Sequence, residues 1–368
     1  MLGNFVEVFL AKEGHDGVVG INLLEKMQVT TPTAAYGAVL AGVDYVLMGA
    51  GIPSEIPGML NLLAESKPAQ ISVTVEGALA GERHTVGIDP LALLGRRLLD
   101  LTRPKFLAIV STHVLAAYLA RDPLTRPDGF VMEGPVAGGH SAPPRGTMVL
   151  DDTGDPVYGQ RDRLDPVKAQ SIGLPFWLAG GYATPQQVAA ARATGAAGVQ
   201  VGSVFALCTD SGLDAPLREQ LLSQAIDGSL TIRNHPKASP TSFPFKVAQL
   251  PDTIADEGVY QDRPRLCDLG YLRTVFRKAD GGLGYRCPSE PVDAYLRKGG
   301  TAADAEERRC LCNGLVASTG LAQHRPDGYV EAPLVTLGQD LDFLPELVAA
   351  TGKVFSATHV VAYLLGAS

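Results

Sequence analysis

The chain has 368 residues, 46% of them hydrophobic, enough to bury a large core in one big domain with an appendage or in two ordinary domains. Its 31 basic and 39 acidic residues leave a formal charge of −8, which argues against nucleic acid or an anionic membrane surface as the main partner and leaves a small-molecule site as the default. The start, residues 1–7, lacks the basic opening and apolar core of a signal peptide, no stretch approaches the length of a membrane span, and five sparse cysteines do not make a secreted disulfide scaffold, so a cytoplasmic location is expected.

From Val18 to about Ser203, short β-rich runs alternate with Ala/Leu-rich helical stretches. The strand candidates are 18–22, 43–48, 106–110, 129–132, 176–179 and 198–201, with helix patterns at 33–41, 114–121 and 185–194 between several of them. Repeated βα units of this kind predict a parallel sheet buried on both faces, as a barrel or a doubly wound sheet. Runs at 71–75 and 85–88 read as a hairpin inserted into the series, and 91–101 reads as a helix ended by Pro104.

After the apolar run Gly129-Phe130-Val131-Met132 comes Glu133-Gly134-Pro135-Val136-Ala137-Gly138-Gly139-His140, which puts an imidazole on a glycine-softened loop at a strand exit. Two glycines without Cβ let a flat cofactor approach the main chain closely, and a histidine beside such a surface can move protons near neutral pH. The plainer alternative is a turn carrying an exposed histidine. His113, at the exit of 106–110, is a second candidate proton carrier, although a place in the first turn of the next helix is the plainer reading. Arg145, Tyr158, Arg161 and Asp162 could line a substrate mouth or be ordinary surface charges.

Phe176-Trp177-Leu178-Ala179 runs into Gly180-Gly181-Tyr182, and Thr184-Pro185-Gln186-Gln187 has the form of a helix start: hydroxyl cap, proline at the first helical position and Gln three residues after the cap. The next unit repeats this, with Gly198-Val199-Gln200-Val201 ending at Gly202-Ser203 before the apolar helix 204–207. Free N–H groups at two consecutive βα turns are what a phosphate needs in the last two units of an eight-fold barrel.

After about Leu213 the character changes, and residues 213–368 read as a C-terminal subdomain or cap following a domain over 1–212. Cys267, Cys287, Cys310 and Cys312 all lie there and could bind zinc or an iron–sulfur cluster, or be reduced cysteines with no ligand. The stretch 355–364 echoes 109–119, and a Ser/Thr-capped helix start with an apolar face explains both.

The Gly-Gly-His loop, then Leu178-Ala179-Gly180-Gly181, then Gly198-Val199-Gln200-Val201-Gly202-Ser203-Val204-Phe205 together resemble the nitronate monooxygenase family of FMN-dependent TIM barrels. The resemblance implies an FMN-dependent oxidoreductase that oxidises nitronates or nitroalkanes with O2. His140 would then be the catalytic histidine, and Gly138 and Gly139 would lie against the cofactor. Gly180, Gly181, Gly202 and Ser203 would hold the FMN phosphate with Ala179 and Gln200 nearby, and Asn22 would sit close to the flavin ring.

The chain begins just before the family's third strand, so a TIM-type (β/α)8 barrel lacking its first two strands is expected. A truncated start, strands from the tail or insertion, or a partner chain that closes the barrel (a homo-oligomer among them) would account for this. Two other readings stand beside it: a flavin enoyl-thioester reductase using NAD(P)H, and a non-catalytic barrel remnant acting as a binding module. No protein-bound metal enters the expected active site.

Overall fold

The computed structural model describes residues 1–367. They form two compact units. One comprises 1–132, 167–176 and 274–285, the other 133–166, 177–273 and 286–368.

The first unit starts with α1 (Leu2–Ala11), β1 (Gly20–Leu24), α2 (Thr31–Leu40), β2 (Tyr45–Gly49) and α3 (Ile56–Ala64). It continues through β3 (Ala69–Ser72), β4 (Val75–Glu76), β5 (Thr85–Ile88), α4 (Pro90–Leu94), β6 (Lys105–Val110), α5 (His113–Leu119) and β7 (Gly129–Glu133), with α6 at Pro166–Gln170. β1, β2, β6 and β7 pair in parallel and in chain order, with Asn22 opposite Leu47, Val46 opposite Phe106 and Ile109 opposite Val131. Phe106, Leu107, Ala108 and Val110 are all buried, as a parallel strand covered on both faces requires. Aspartates at the strand entrances fix the register: Asp44 accepts from Val19 N–H at 2.7 Å and Asp128 from Phe106 N–H at 2.7 Å.

The inserted hairpin forms, β3 pairing antiparallel with β5. The run expected at 71–75 is divided, and its second half, β4, pairs in parallel with the strand Thr274–Arg277 from far along the chain. Arg277 also makes an ion pair with Glu82 of the insertion. The helix expected at 91–101 is a correction: α4 stops at Leu94 because Gly95 turns left-handed at φ 69° and ends it.

The second unit contains β8 (Phe176–Ala179), α7 (Pro185–Ala193), β9 (Gly198–Gln200), α8 (Ser203–Ala206), α9 (Ala215–Asp227), β10 (Ile232–His235) and β11 (Phe245–Ala248). β8 and β9 pair in parallel, β10 and β11 antiparallel. Its core gathers Val204, Leu207 and Leu221 with Leu337, Phe343, Phe355 and Val360, so α8 and α9 pack with the last fifty residues of the chain. All six strand candidates of the βα series therefore form parallel-paired strands. The echoing segments are both capped helix starts: Thr112 Oγ1 accepts from Leu115 N–H, and Ser356 Oγ from His359 N–H. Among the described residues no helix is long and apolar enough to cross a membrane.

Candidate functional site

The second unit builds its site on two strand exits. β8 ends at Ala179, whose carbonyl accepts from Gly134 N–H at 2.8 Å, and the chain turns sharply through Gly180 and Gly181 at φ +84° and +81°. A Cβ at Gly180 would lie 3.0 Å from Gly134 O and 3.1 Å from Ala137 N, so only glycine fits where the two loops meet. Thr184 then opens α7 with a reciprocal capping box: its Oγ1 accepts from Gln187 N–H at 3.2 Å while Gln187 Oε1 accepts from Thr184 N–H at 2.9 Å. At the second exit Gly202 precedes α8. The N–H groups of Gly181 and Gly202 have no partner among the described residues.

These turns open onto a cavity of about 390 Å³, within the range of small-molecule sites. Of the residues expected to bind cofactor, Gly138, Gly139, Ala179, Gly180, Gly181, Gln200, Gly202 and Ser203 line it. Asn22 does not join them: it is exposed on β1 of the first unit.

The opposite wall is a strap from the C-terminal region, Thr336, Leu337, Gly338 and Asp340. Gly139 N–H donates to Thr336 Oγ1 at 2.8 Å, Gly338 N–H to Ser203 Oγ at 2.7 Å, and Gln339 N–H to Val136 O at 2.9 Å. Asp340 Oδ2 lies 3.0 Å from the point where a Cβ on Gly181 would stand, so a carboxylate faces the glycine turn. Nothing in the sequence around 336–340 marks it as part of the site, beyond a glycine following an apolar run.

Two further titratable groups were not anticipated. Glu133, at the C-terminal end of β7, lines the cavity, and burial pushes its carboxyl up to about 7, with the charge of Lys246 pulling the other way. Lys246 is fully buried on β11 and donates from Nζ to Pro135 O at 2.7 Å and Ser141 Oγ at 2.6 Å. Burial brings it down to about 8, against the opposing pull of Glu133 and Asp155. A buried lysine with one carboxylate in a cavity wall is the kind of arrangement that marks a working site. A lysine inside the apolar Phe243–Leu250 region was the available signal.

His140 is half-buried and is not among the lining residues. Its Nε2 lies 2.7 Å from Ser239 Oγ, and its ring meets Phe245 edge-on at 4.8 Å. Ser239 is itself fixed by Thr241, whose Oγ1 is 2.7 Å away. Arg145 N–H donates to Asp162 Oδ1 at 3.0 Å and Tyr158 OH to Ala142 O at 2.9 Å, so these residues brace the loop after His140. His113, in the first unit, is the first residue of α5, as the plainer reading had it.

Residues 104–236 match the family described as nitronate monooxygenase. The chain is 28% identical over 171 residues to a (3aS,4S,5R,7aS)-5-hydroxy-7a-methyl-1-oxo-octahydro-1H-indene-4-carboxyl-CoA dehydrogenase of Mycobacterium tuberculosis, a match covering 45% of each. It is 36% identical over 98 residues to a probable nitronate monooxygenase of Bacillus subtilis, covering 27% of this chain and 26% of that one. The chain thus spans less than half the length of these curated relatives. The enoyl reductase domain of MlnA from the macrolactin biosynthesis cluster of Bacillus amyloliquefaciens superposes with a TM-score of 0.53 at 13% identity, covering 99% of this chain and 85% of that one. That likeness shows a parallel-stranded α/β fold consistent with a TIM-type barrel. The resemblance drawn from the glycine motifs is borne out, and enzymes of this family are FMN-dependent.

Proposed function

We propose that the chain is an FMN-dependent oxidoreductase of the nitronate monooxygenase kind, acting on alkyl nitronates or nitroalkanes with O2. The observation that carries this reading is the pair of unpartnered N–H groups, Gly181 and Gly202, at consecutive strand exits on one cavity. Two such donors at consecutive strand exits suit a phosphate. The donor set fits FMN in kind. Asp340, whose carboxylate faces the Gly181 turn, opposes an anion there.

Bound FMN supplies the electron acceptor and, once reduced, the reactivity toward O2. The chain's own residues have simpler tasks. Gly181 and Gly202 hold the phosphate, with Ser203 beside them, while Gly138 and Gly139 leave room for a flat ring. His140 follows the lining glycines without itself lining the cavity, its Nε2 lying 2.7 Å from Ser239 Oγ. It is the base assigned to the proton on the carbon next to a nitro group, a role that requires its ring to turn toward the cavity when substrate binds. Glu133 keeps a carboxyl near neutrality in the cavity wall, able to hold or release a proton at working pH. We read the fold as the family barrel without its first two strands, with residues 213–368 as a cap whose strap closes the phosphate end.

A second reading has its own support. One relative is a carboxyl-CoA dehydrogenase and one structural neighbour an enoyl reductase domain. On that reading the chain reduces an enoyl thioester with NAD(P)H.

The deciding experiment is to titrate the purified chain with FMN by visible absorption and identify the bound group by mass. Nitronate-dependent O2 uptake is then compared with NAD(P)H oxidation driven by an enoyl thioester. Failure to take up FMN overturns both readings. NAD(P)H consumption without nitronate oxidation overturns the first alone.

A further inference from the structure

Four cysteines that the flavin reading does not use come from three separate stretches of the second unit. The fold ties these stretches together at residues next to each cysteine. Asn313, beside Cys312, donates from Nδ2 to Asp268 Oδ2 at 2.7 Å and to Leu266 O at 3.4 Å, gripping the chain on both sides of Cys267. Arg265 donates to Pro288 O at 2.5 Å, next to Cys287, and Ser289 Oγ donates to Arg309 O at 2.8 Å, next to Cys310. Cys287 and Cys310 are each only 6% exposed, and all four sulfurs are free of disulfides.

Each of the four sulfurs has at least one hydrogen-bond donor aimed at it. Ser289 N–H faces Cys287, Asn313 N–H faces Cys310, the N–H groups of Tyr271 and Leu272 face Cys312, and Arg273 faces Cys267. A neutral thiol is a weak acceptor and gives such donors little reason to converge, whereas a thiolate accepts them strongly. A metal-bound thiolate gives these convergent donors the strong acceptor that a thiol does not.

We propose that Cys267, Cys287, Cys310 and Cys312 ligate an iron–sulfur cluster. A single zinc ion would need all four sulfurs at about 2.3 Å from one point. Among the described residues no three His, Cys, Asp or Glu side chains converge closely enough to hold one ion. A cluster places its own iron and sulfide between the cysteines and so accepts thiolates set farther apart, and hydrogen bonds to its sulfurs are a normal part of such sites. Cys287 is followed by Pro288, the Cys-Pro step that ends one common cluster motif.

The test is to produce the full chain with added iron, purify it without oxygen and measure iron, acid-labile sulfide and zinc per chain. The expected result is iron and sulfide in equal, stoichiometric amounts, lost from Cys287→Ala and Cys310→Ala and kept in Cys208→Ala, whose sulfur lies in the separate core around α8. A chain carrying stoichiometric zinc overturns the proposal. So does one that holds no iron and sulfide either as isolated or after incubation with ferrous iron and sulfide. If the cysteine variants fail to fold, the iron and sulfide content of the unaltered chain decides. None of these readouts depends on flavin.

Discussion

Asp340→Asn should tighten FMN binding. The carboxylate Oδ2 lies 3.0 Å from the Cβ position of Gly181, the residue whose free N–H is proposed to hold phosphate. An anion accepting that N–H bond would stand within about 5 Å of the aspartate. Two unit charges at that separation repel by about 3 kcal/mol at an effective dielectric constant near 20, and by under about 1 kcal/mol in bulk water. The cavity lies between these limits, so removing the charge should contribute about 1–2 kcal/mol, a roughly 5- to 30-fold lower Kd for FMN. Asparagine is nearly isosteric with aspartate, so the strap should keep its shape. Kd values come from flavin fluorescence quenching at low and high salt, and the gain should shrink as salt rises. An unchanged or weaker affinity, with the variant folded, would refute a phosphate at Gly181.

Other perturbations probe the site independently. His140→Ala should keep bound flavin and lose about 10²-fold or more of nitroalkane turnover, and unchanged turnover would remove His140 from the mechanism. Gly181→Asp should expel FMN, since it forces a side chain into φ +81° and adds a second carboxylate beside Asp340; retained flavin would sink the phosphate assignment. Glu133 has its carboxyl raised from 4.5 to about 7, so the native chain holds a proton that the unfolded chain releases between those values. That contribution to stability is fully present below about pH 4.5 and fades as pH rises through 7. Glu133→Gln should therefore gain on the parent progressively through that window, reaching roughly 3 kcal/mol above pH 7 as an upper figure, measured by urea unfolding at several pH values, and a flat difference would contradict the burial of Glu133. Thr184→Ala removes the α7 cap and should cost about 1 kcal/mol of stability, which thermal melting would detect.

The strands and both glycine turns were legible because their causes are local. A β-branched run names a buried strand, a Thr-Pro-Gln-Gln sequence names a helix start, and Gly180 is required by the loop it touches. The helix 91–101 was misread because an apolar pattern outweighed Gly95, whose left-handed turn ends the helix after Leu94. The strap and Lys246 were illegible for a different reason. Thr336 reaches Gly139 only through the packing of the whole second unit, and Lys246 differs from a surface lysine only in what surrounds its Nζ. The cysteines were visible as residues but not as neighbours, since three stretches of chain had to fold before they met.

The bond between Gly139 N–H and Thr336 Oγ1 joins residues 197 positions apart. During synthesis the glycine turns emerge long before the strap, so the pocket cannot exist on a nascent chain until residues 336–340 have left the ribosome. Long-range closure of this kind is slow compared with local helix and turn formation. Cofactor capture therefore waits on that closure, and a chain that stops before residue 336 would be exposed to the cell's proteases without the protection that a bound ligand gives a folded state.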